Sequence, residues 1–357
     1  MQLRLAPEAE LSRVAQVKPC TKFLLFCFNL FISFLNKTNV LVNNIAVQMI
    51  SEVCTVTSAQ AEAPHRLLSL KTGAAVRKAA RNGTHTTTTS GLAPTYLQAN
   101  LIILPSRYAA DFRVLCARNP VPCPLMAESA AVGKFDEVRS WIDGLSGEGL
   151  ISGVDIRQDA PKYMVYKDSK LAKSECADIV AEWTEDHVAF LIGCSFSFES
   201  ALAEAGLEPR HSRLDRAVPI YRTNIPLCPA GVFTSSNYVV SMRPYKGTEI
   251  EAVRDITRPY IATHGEPIAW GWDAAERLGI KDIDIPDWGS PPLTLSGQPL
   301  GAHAGSDSEV PVFWGCGVTP QEAVMKADLQ GTIMAHAPGY MLVLDCRDWD
   351  IIKEKRR

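Results

Sequence analysis

Short apolar runs alternate with polar and amphipathic segments from about residue 66 onward. A continuous apolar run of four to eight residues, bounded by turn residues, is typical of a buried strand. Runs of this type predict strands at 99–105, 187–193, 218–224, 238–244, 310–315 and 340–346.

The last of these units carries the clearest signals for its helix. After the strand at 310–315, Thr319 and Glu322 have the spacing of a capping box, with Pro320 at the first helical position. The pattern predicts a helix that runs to about His336 and is followed by the strand at 340–346. A strand, a helix and a strand joined by short loops imply a right-handed parallel crossover.

These elements together predict an α/β fold: a mostly parallel sheet with helices on both faces, plus a smaller inserted α+β domain. We assign 66–206 and 306–350 to the α/β domain and 207–305 to the smaller domain. Residues 1–65 share no rhythm with the rest and are treated as an N-terminal extension.

The extension contains a 13-residue apolar run at 23–35, FLLFCFNLFISFL. This run is too short to span a bilayer comfortably, so we expect no stable membrane insertion. A targeting segment, a buried helix and an error in the gene start all remain open for residues 1–65.

Composition and charge exclude several classes of protein. The formal net charge is −3, and the Lys and Arg residues are dispersed, which disfavours a nucleic-acid partner. The ten cysteines form no CxxC pair and no zinc-like spacing, so we expect reduced thiols in an intracellular protein and no metal. Neither a GxGxxG turn after a strand nor a Walker loop nor an HExxH motif occurs, which disfavours a nucleotide cofactor.

The stretch GCSFSFES at 193–200 is the most unusual turn in the sequence. A nucleophile elbow requires a second glycine that this stretch lacks. A helix cap is the better interpretation, with Ser197 as the capping oxygen. Backbone amides here, with Ser195 and Ser197, could also hold a substrate carboxylate, while Cys194 packs beneath them.

Other candidates lie in loops that follow predicted strands. Arg243, between an apolar strand and a proline, is either a surface residue or a bidentate carboxylate clamp. Arg210 is a second cation that would suit an acidic substrate. Asn100 and Asn224 are candidate amide donors.

Three histidines lie at the ends of predicted elements: His211, His264 and His336. Each could act as a general base near neutral pH. For each one alone, a structural role is the alternative.

Several long and unusually composed stretches resemble one family. They include TSGLAPTYLQANLIILP, VAFLIGCSFSFESAL, VPIYRTNIPLCPAG, VPVFWGCGVTPQEA and HAPGYMLVLD, and they extend over residues 89–345. The chain resembles the D-glutamate cyclase-like hydro-lyases. The resemblance implies a two-domain α/β lyase that converts D-glutamate to 5-oxo-D-proline with loss of water. The alternatives are a hydratase or dehydratase of another small carboxylic acid and a non-catalytic binder of acidic metabolites.

Lactam closure needs no cofactor, and its chemistry gives each candidate residue an expected role. His264 or His336 would be the base and Asn224 an oxyanion donor. Arg243, Ser195, Ser197, Cys194, Asn100 and Arg210 would bind the small carboxylate substrate. The family's mitochondrial member makes the matrix an expected address, with the cytoplasm as the alternative, and a homo-oligomer remains open.

The sequence departs from the family pattern at three places. Thr95 stands where a glycine is usual, Tyr340 replaces a histidine, and the segment 270–273 differs from the family's run. In addition, 126–152 is expanded relative to the family.

Overall fold

The computed structural model describes residues 70–352. The extension 1–65, with its apolar run, therefore lies outside the described residues. None of the helices within 70–352 is both long enough and apolar enough to cross a membrane.

Twelve strands form the framework of the described residues. They are β1 (Tyr96–Pro105), β2 (Leu125–Ser129), β3 (Val138–Ser140), β4 (Tyr163–Lys167), β5 (Lys170–Cys176), β6 (His187–Gly193), β7 (Ile220–Pro226), β8 (Asn237–Tyr245), β9 (Ala269–Trp270), β10 (Val310–Gly315), β11 (Thr332–His336) and β12 (Leu342–Arg347).

The α-helices of the same residues are short. They are α1 (Gly73–Arg81), α2 (Ala109–Arg118), α3 (Gly147–Leu150), α4 (Glu199–Glu204), α5 (Arg210–Arg213), α6 (Ile250–Thr257), α7 (Trp272–Arg277), α8 (Val318–Lys326) and α9 (Asp348–Ile351).

The strands form two antiparallel sheets, so the predicted mostly parallel sheet with helices on both faces is wrong. The first sheet has eight strands in the order β3-β2-β6-β1-β11-β4-β5, with β12 also pairing with β1. The second has four strands in the order β7-β8-β10-β9. Every pair between named strands is antiparallel. The predicted domain boundaries at 206 and 305 stay a prediction.

Strand β1 shows why continuous apolar runs did not reveal strand direction. Its side chains alternate between two cores, with Leu101 and Ile103 in one and Ile102 and Leu104 in the other. All four are at most 1% exposed. Because both faces of this antiparallel sheet are covered, its central strand carries the uninterrupted apolar pattern that is usual for parallel strands.

The predicted crossover at the C-terminal end is also wrong. Helix α8 ends at Lys326, and Thr332–His336 forms strand β11 rather than helix. The break coincides with positive φ angles at Asp328 (48°) and Gly331 (99°). Strand β10 belongs to the second sheet and β11 to the first, so α8 connects two sheets instead of two parallel neighbours.

The predicted capping box is replaced by a contact between elements. The residue before α8 is Gly317, and Thr319 lies inside the helix. The Thr319 hydroxyl donates to the Val239 carbonyl at 3.0 Å and accepts from the Val239 amide at 2.9 Å. This exchange ties α8 to strand β8.

Strand β8 presents different chemistry on its two faces. Val240 and Met242 pack in an apolar core beneath α7. Alternation directs Ser241 and Arg243 to the opposite face, and both are 0% exposed. The second sheet therefore buries a full positive charge, which requires compensation nearby.

Thr95 adopts a left-handed backbone conformation, with φ of 72°. Its position is the one at which the resembling family has glycine. A left-handed conformation costs a residue with a Cβ atom about 1–2 kcal/mol, and more for a β-branched one.

We therefore expect Thr95→Gly to raise the free energy of unfolding by about 1 kcal/mol, after allowance for the greater entropy of glycine in the unfolded chain. Urea denaturation measures this change. The control is Thr86→Gly, because Thr86 is exposed and its φ is not positive. A Thr95→Gly variant no more stable than the parent would contradict the strain.

Candidate functional site

The turn after β6 is held against strand β1. The Cys194 amide donates to the Gln98 carbonyl at 3.1 Å, and the Gln98 amide donates to the Ser197 hydroxyl at 3.1 Å. Ser197 therefore does not cap a helix, and that prediction is wrong. Helix α4 begins at Glu199 after a 3₁₀ turn at Ser195–Phe198, with no side-chain cap.

Arg243 of strand β8 meets this turn directly. Its Nη2 donates to the Ser195 hydroxyl at 3.0 Å, its Nη1 to the Ser241 hydroxyl at 3.0 Å, and its Nε to Glu199 Oε1 at 2.9 Å. Of the two alternatives for Arg243, the surface location is wrong. The carboxylate that Arg243 holds in this structure belongs to Glu199.

Glu199 also pairs with His211, whose Nε2 lies 3.2 Å from Glu199 Oε1. Burial by itself would raise the pKa of Glu199. The attractions and hydrogen bonds of His211 and Arg243 outweigh burial and lower the pKa to about 2. We call Arg243, Glu199, Ser195, Ser241 and His211 the Arg243 cluster.

Aromatic rings complete the surroundings of the guanidinium. The Cζ atom of Arg243 lies 5.2 Å from the Phe198 ring centre and 5.3 Å from the Trp314 ring centre. These distances are within the range of cation–π attraction. The rings exclude water and strengthen the pairing with Glu199.

The direction of the hydrogen bonds decides what the two serines can do. Guanidinium is only a donor, so Ser195 and Ser241 accept from Arg243 through their oxygens. Their hydroxyl protons remain to be donated elsewhere. The cluster therefore presents oriented hydroxyl donors, although the arginine itself is neutralised.

Two thiols lie near this charge without being activated by it. Burial raises the pKa of Cys194 to about 12 and that of Cys316 to about 11, although Arg243 and nearby backbone amides oppose the shift. Both thiols are therefore protonated at neutral pH. The prediction that Cys194 is buried is confirmed, since it is 7% exposed.

His264 is held in an unusual backbone conformation beside the same turn. Its φ is 88°. Its Nδ1 lies 2.8 Å from the Val121 carbonyl, and an oxygen of that kind can only accept. Nδ1 therefore carries the proton, and Nε2 is left with a lone pair.

That lone pair is unused within the described residues. Nε2 of His264 is buried and has no hydrogen-bond partner there. Burial lowers the pKa of His264 to about 4, with the backbone of Val121 and Gly193 opposing the shift and Arg243 adding to it. His264 is therefore a neutral ring in the electrostatic field of Arg243. Its Nε2 makes no hydrogen bond within 70–352, although the Gly193 backbone lies close enough to the ring to act on its pKa.

His336 differs from His264 in that its Nδ1 has several partners within the fold. The Leu101 amide and the Gln321 side-chain amide each lie 3.1 Å from Nδ1, and the Leu101 carbonyl lies 3.2 Å from it. Because Nδ1 is already engaged by these groups, His336 is less suited than His264 to accept a proton from a substrate.

The other predicted site residues are distributed unevenly. Asn100 donates to the Gly193 carbonyl at 3.1 Å, and its amide fills the space beside Gly317 that a side chain would need. Arg210 is next to the cluster but pairs with Glu309 at 2.7 Å. Asn224 is exposed on β7, and none of its hydrogen bonds reaches the Arg243 cluster.

A cavity of about 840 Å³ lies elsewhere, beside β9 and α7. It is lined by Trp270, Asp273 and Arg277, within and next to the segment that departs from the family pattern. Its charged groups, Asp273, Arg277 and Asp307, are all exposed, and the first two pair with each other. The size of a cavity does not by itself indicate catalysis. We place the candidate site at the Arg243 cluster, because buried charge occurs there near the unpartnered Nε2 of His264.

Sequence reasoning did not include Glu199 and Ser241 among the site residues. Glu199 follows two phenylalanines in an apolar stretch, where a carboxylate requires a buried cation. Ser241 precedes Arg243 by two positions on one strand, which places both on one face. Both signals were present in the sequence.

Comparison with known proteins gives consistent matches over most of the chain. A family model described as D-glutamate cyclase matches residues 188–345. A Schizosaccharomyces pombe protein named "Putative hydro-lyase" is 46% identical over 269 residues, covering 75% of this chain and 82% of that protein. A protein of the same name from Rubrobacter xylanophilus is 42% identical over 275 residues, covering 77% and 96%.

Comparison with solved structures supports no argument about the fold or function of this chain. A nitrogen repressor-like protein from Methanococcus jannaschii aligns with a TM-score of 0.31 and 8% identity, covering 77% of this chain and 95% of that one. A score this low supports no conclusion.

The two buried histidines predict how stability depends on pH. The pKa of His264 and of His336 is lowered to about 4 by burial, from 6.5 in the unfolded chain. Between pH 6.5 and about pH 4, these histidines bind protons in the unfolded chain but not in the folded chain. The free energy of unfolding therefore falls as the pH falls.

From pH 7 to pH 5, each histidine should lower the free energy of unfolding by about 2 kcal/mol. Urea denaturation at the two pH values measures the loss. His336→Gln should remove about half of the contribution of the pair. The control is His303→Asn, at a half-buried position that ends the 3₁₀ turn Leu300–His303, and it should leave that contribution unchanged. An equal loss in the parent and in His336→Gln would contradict the assignment.

Proposed function

The chain belongs to the D-glutamate cyclase-like family of hydro-lyases, and we propose that it closes D-glutamate to 5-oxo-D-proline with loss of water, without a cofactor. The names of the relatives support a lyase. The observation that carries the reaction is the neutral, buried His264 ring, whose Nε2 has no hydrogen-bond partner among the described residues and which lies in the electrostatic field of Arg243.

The proton balance of lactam closure requires only one such group. The substrate enters with an ammonium group and a γ-carboxylate. A bond forms between the nitrogen and the carboxyl carbon of the γ-carboxylate (Cδ), and one C–O bond of that carboxylate breaks. Two of the three ammonium protons leave with one carboxylate oxygen as water, and the third remains on the lactam nitrogen. One group that accepts a proton and then returns it is therefore sufficient.

We assign this transfer to Nε2 of His264. A pKa of about 4 keeps the ring neutral at pH 7, so Nε2 has a lone pair available. The negative carboxylates of a bound substrate would raise this pKa and so make Nε2 basic enough to take a proton from the ammonium. The positive field of Arg243 favours loss of that proton, because a cation destabilises a second cation. The protonated ring is then a strong acid that readily donates to the departing oxygen.

Arg243 acts in this scheme by positioning. It holds the hydroxyls of Ser195 and Ser241, whose protons would stabilise the negative oxygen of the tetrahedral intermediate. Because Arg243 is fully buried, the scheme requires neighbouring side chains to open a space for the substrate while the Arg243–Ser195 and Arg243–Ser241 hydrogen bonds are kept. Folding of the substrate in the site would supply part of the rate enhancement, since the reaction is intramolecular.

The direct test is to incubate the purified full chain with D-glutamate and measure 5-oxoproline by chromatography, with L-glutamate in parallel. His264→Asn should lower kcat about 100-fold or more, since it removes the proton-accepting atom. Asparagine tolerates the left-handed backbone, so the fold should be retained. His303→Asn is the matched control and should have parental activity.

Other outcomes point to other functions. Turnover of different hydroxy or oxo acids without 5-oxoproline would indicate a dehydratase of another small acid. Calorimetric binding of D-glutamate without turnover would indicate a metabolite binder. Full activity in His264→Asn would remove His264 from the mechanism while leaving the reaction in place.

For the location, we propose the mitochondrial matrix or the cytoplasm. The support is the resemblance to the family's mitochondrial member and the buried free thiols, among them Cys116, Cys123 and Cys346. Fractionation of cells that express the tagged full chain would test this, and recovery in the secreted fraction would contradict it.

A further inference from the structure

A second group of cations lines a crevice at the margin of strand β8. The crevice lies between the α5 region and residues 290–293, and it is lined by Arg210, His211 and Arg216. Its other lining residues are apolar or neutral. The charged and titratable side chains that face it are therefore all basic.

The partners of these three side chains differ. Arg210 pairs with Glu309 at 2.7 Å, and His211 pairs with Glu199 at 3.2 Å. The Arg216 side chain has only one hydrogen bond among the described residues, from Nη2 to the Pro291 carbonyl at 3.2 Å. No carboxylate within 70–352 forms an ion pair with it.

The Nε atom of Arg216 is buried and has no hydrogen-bond partner in the described part of the chain. A buried charged donor left without an acceptor is costly, so such groups normally have one. The missing acceptor must come from outside these residues.

We propose that this crevice binds a small oxyanion, a carboxylate or a phosphate, with one oxygen accepting from Nε of Arg216. The enclosed space is about 10 Å³, which is room for a single water-sized group. The remainder of the anion would lie at the open mouth, beside Arg210 and the exposed Ala217. A carboxylate or phosphate is the natural partner of an arginine donor.

The proposed bond to Arg216 lies outside the Arg243 cluster, although His211 lines the crevice and pairs with Glu199 of that cluster. Arg216 has no hydrogen bond with Arg243 or His264 among the described residues, and the proposal holds whether or not D-glutamate is turned over. Anion binding and 5-oxoproline formation can therefore succeed or fail independently.

Isothermal titration of the full chain with inorganic phosphate, and separately with acetate, tests the site at constant ionic strength. Arg216→Gln should weaken binding of the preferred anion about tenfold or more, because a charge-assisted bond is lost. The control is Arg213→Gln, since Arg213 is exposed at the end of α5, three positions before Arg216, and does not line the crevice. It should change the affinity less than twofold. The anion that binds with the higher affinity shows whether the site takes a phosphate or a carboxylate.

A second pair of variants keeps the test decisive if Arg216→Gln does not fold. Ala217 is exposed, so Ala217→Glu should fold and place a competing carboxylate at the mouth, whereas Ala217→Gln adds the same bulk without charge. Loss of binding in the glutamate variant alone supports the site. Absence of binding by either anion to the parent protein, or equal affinity in the parent and in Arg216→Gln, would overturn the proposal and leave water as the acceptor.

Discussion

The ion pair between Arg243 and Glu199 joins the two sheets. Arg243 belongs to β8 of the second sheet, and Glu199 follows the turn after β6 of the first. A buried guanidinium without a carboxylate is strongly unfavourable, and removal of one partner of such a pair typically costs about 3–5 kcal/mol. The position of the turn, the orientation of Ser195 and Ser241, and the location of His211 all follow from this pairing.

Hydrogen bonds to one ring nitrogen determine what each buried histidine can do. The Val121 carbonyl fixes the proton of His264 on Nδ1 and leaves Nε2 without a partner among the described residues, whereas Nδ1 of His336 is engaged by the Leu101 backbone and the Gln321 side chain. Burial lowers the pKa of both rings to about 4. The hydrogen-bond partners, rather than the pKa, therefore separate the candidate proton acceptor from a structural histidine.

The strands were predictable and their pairing was not. The runs at 99–105, 187–193 and 310–315 are strands because apolar residues of that length are buried wherever they lie. Their direction depends on which strand is adjacent, and both faces of β1 are covered in either arrangement. The segment 332–336 was assigned to a helix because the capping signal at 319–322 marks only where a helix begins, while the positive φ angles that end it are set by tertiary contacts.

The sequence by itself determined the family, the positions of most strands and the residue types of the site, because these depend on composition and local order. Only the tertiary structure decided that Ser195 and Arg243, 48 positions apart, share a hydrogen bond, and that Asn224 does not join them. It also decided that Glu199 supplies the carboxylate that Arg243 binds. The physical reason is that a buried charge selects its partner by proximity in the folded chain, which separation along the sequence does not encode.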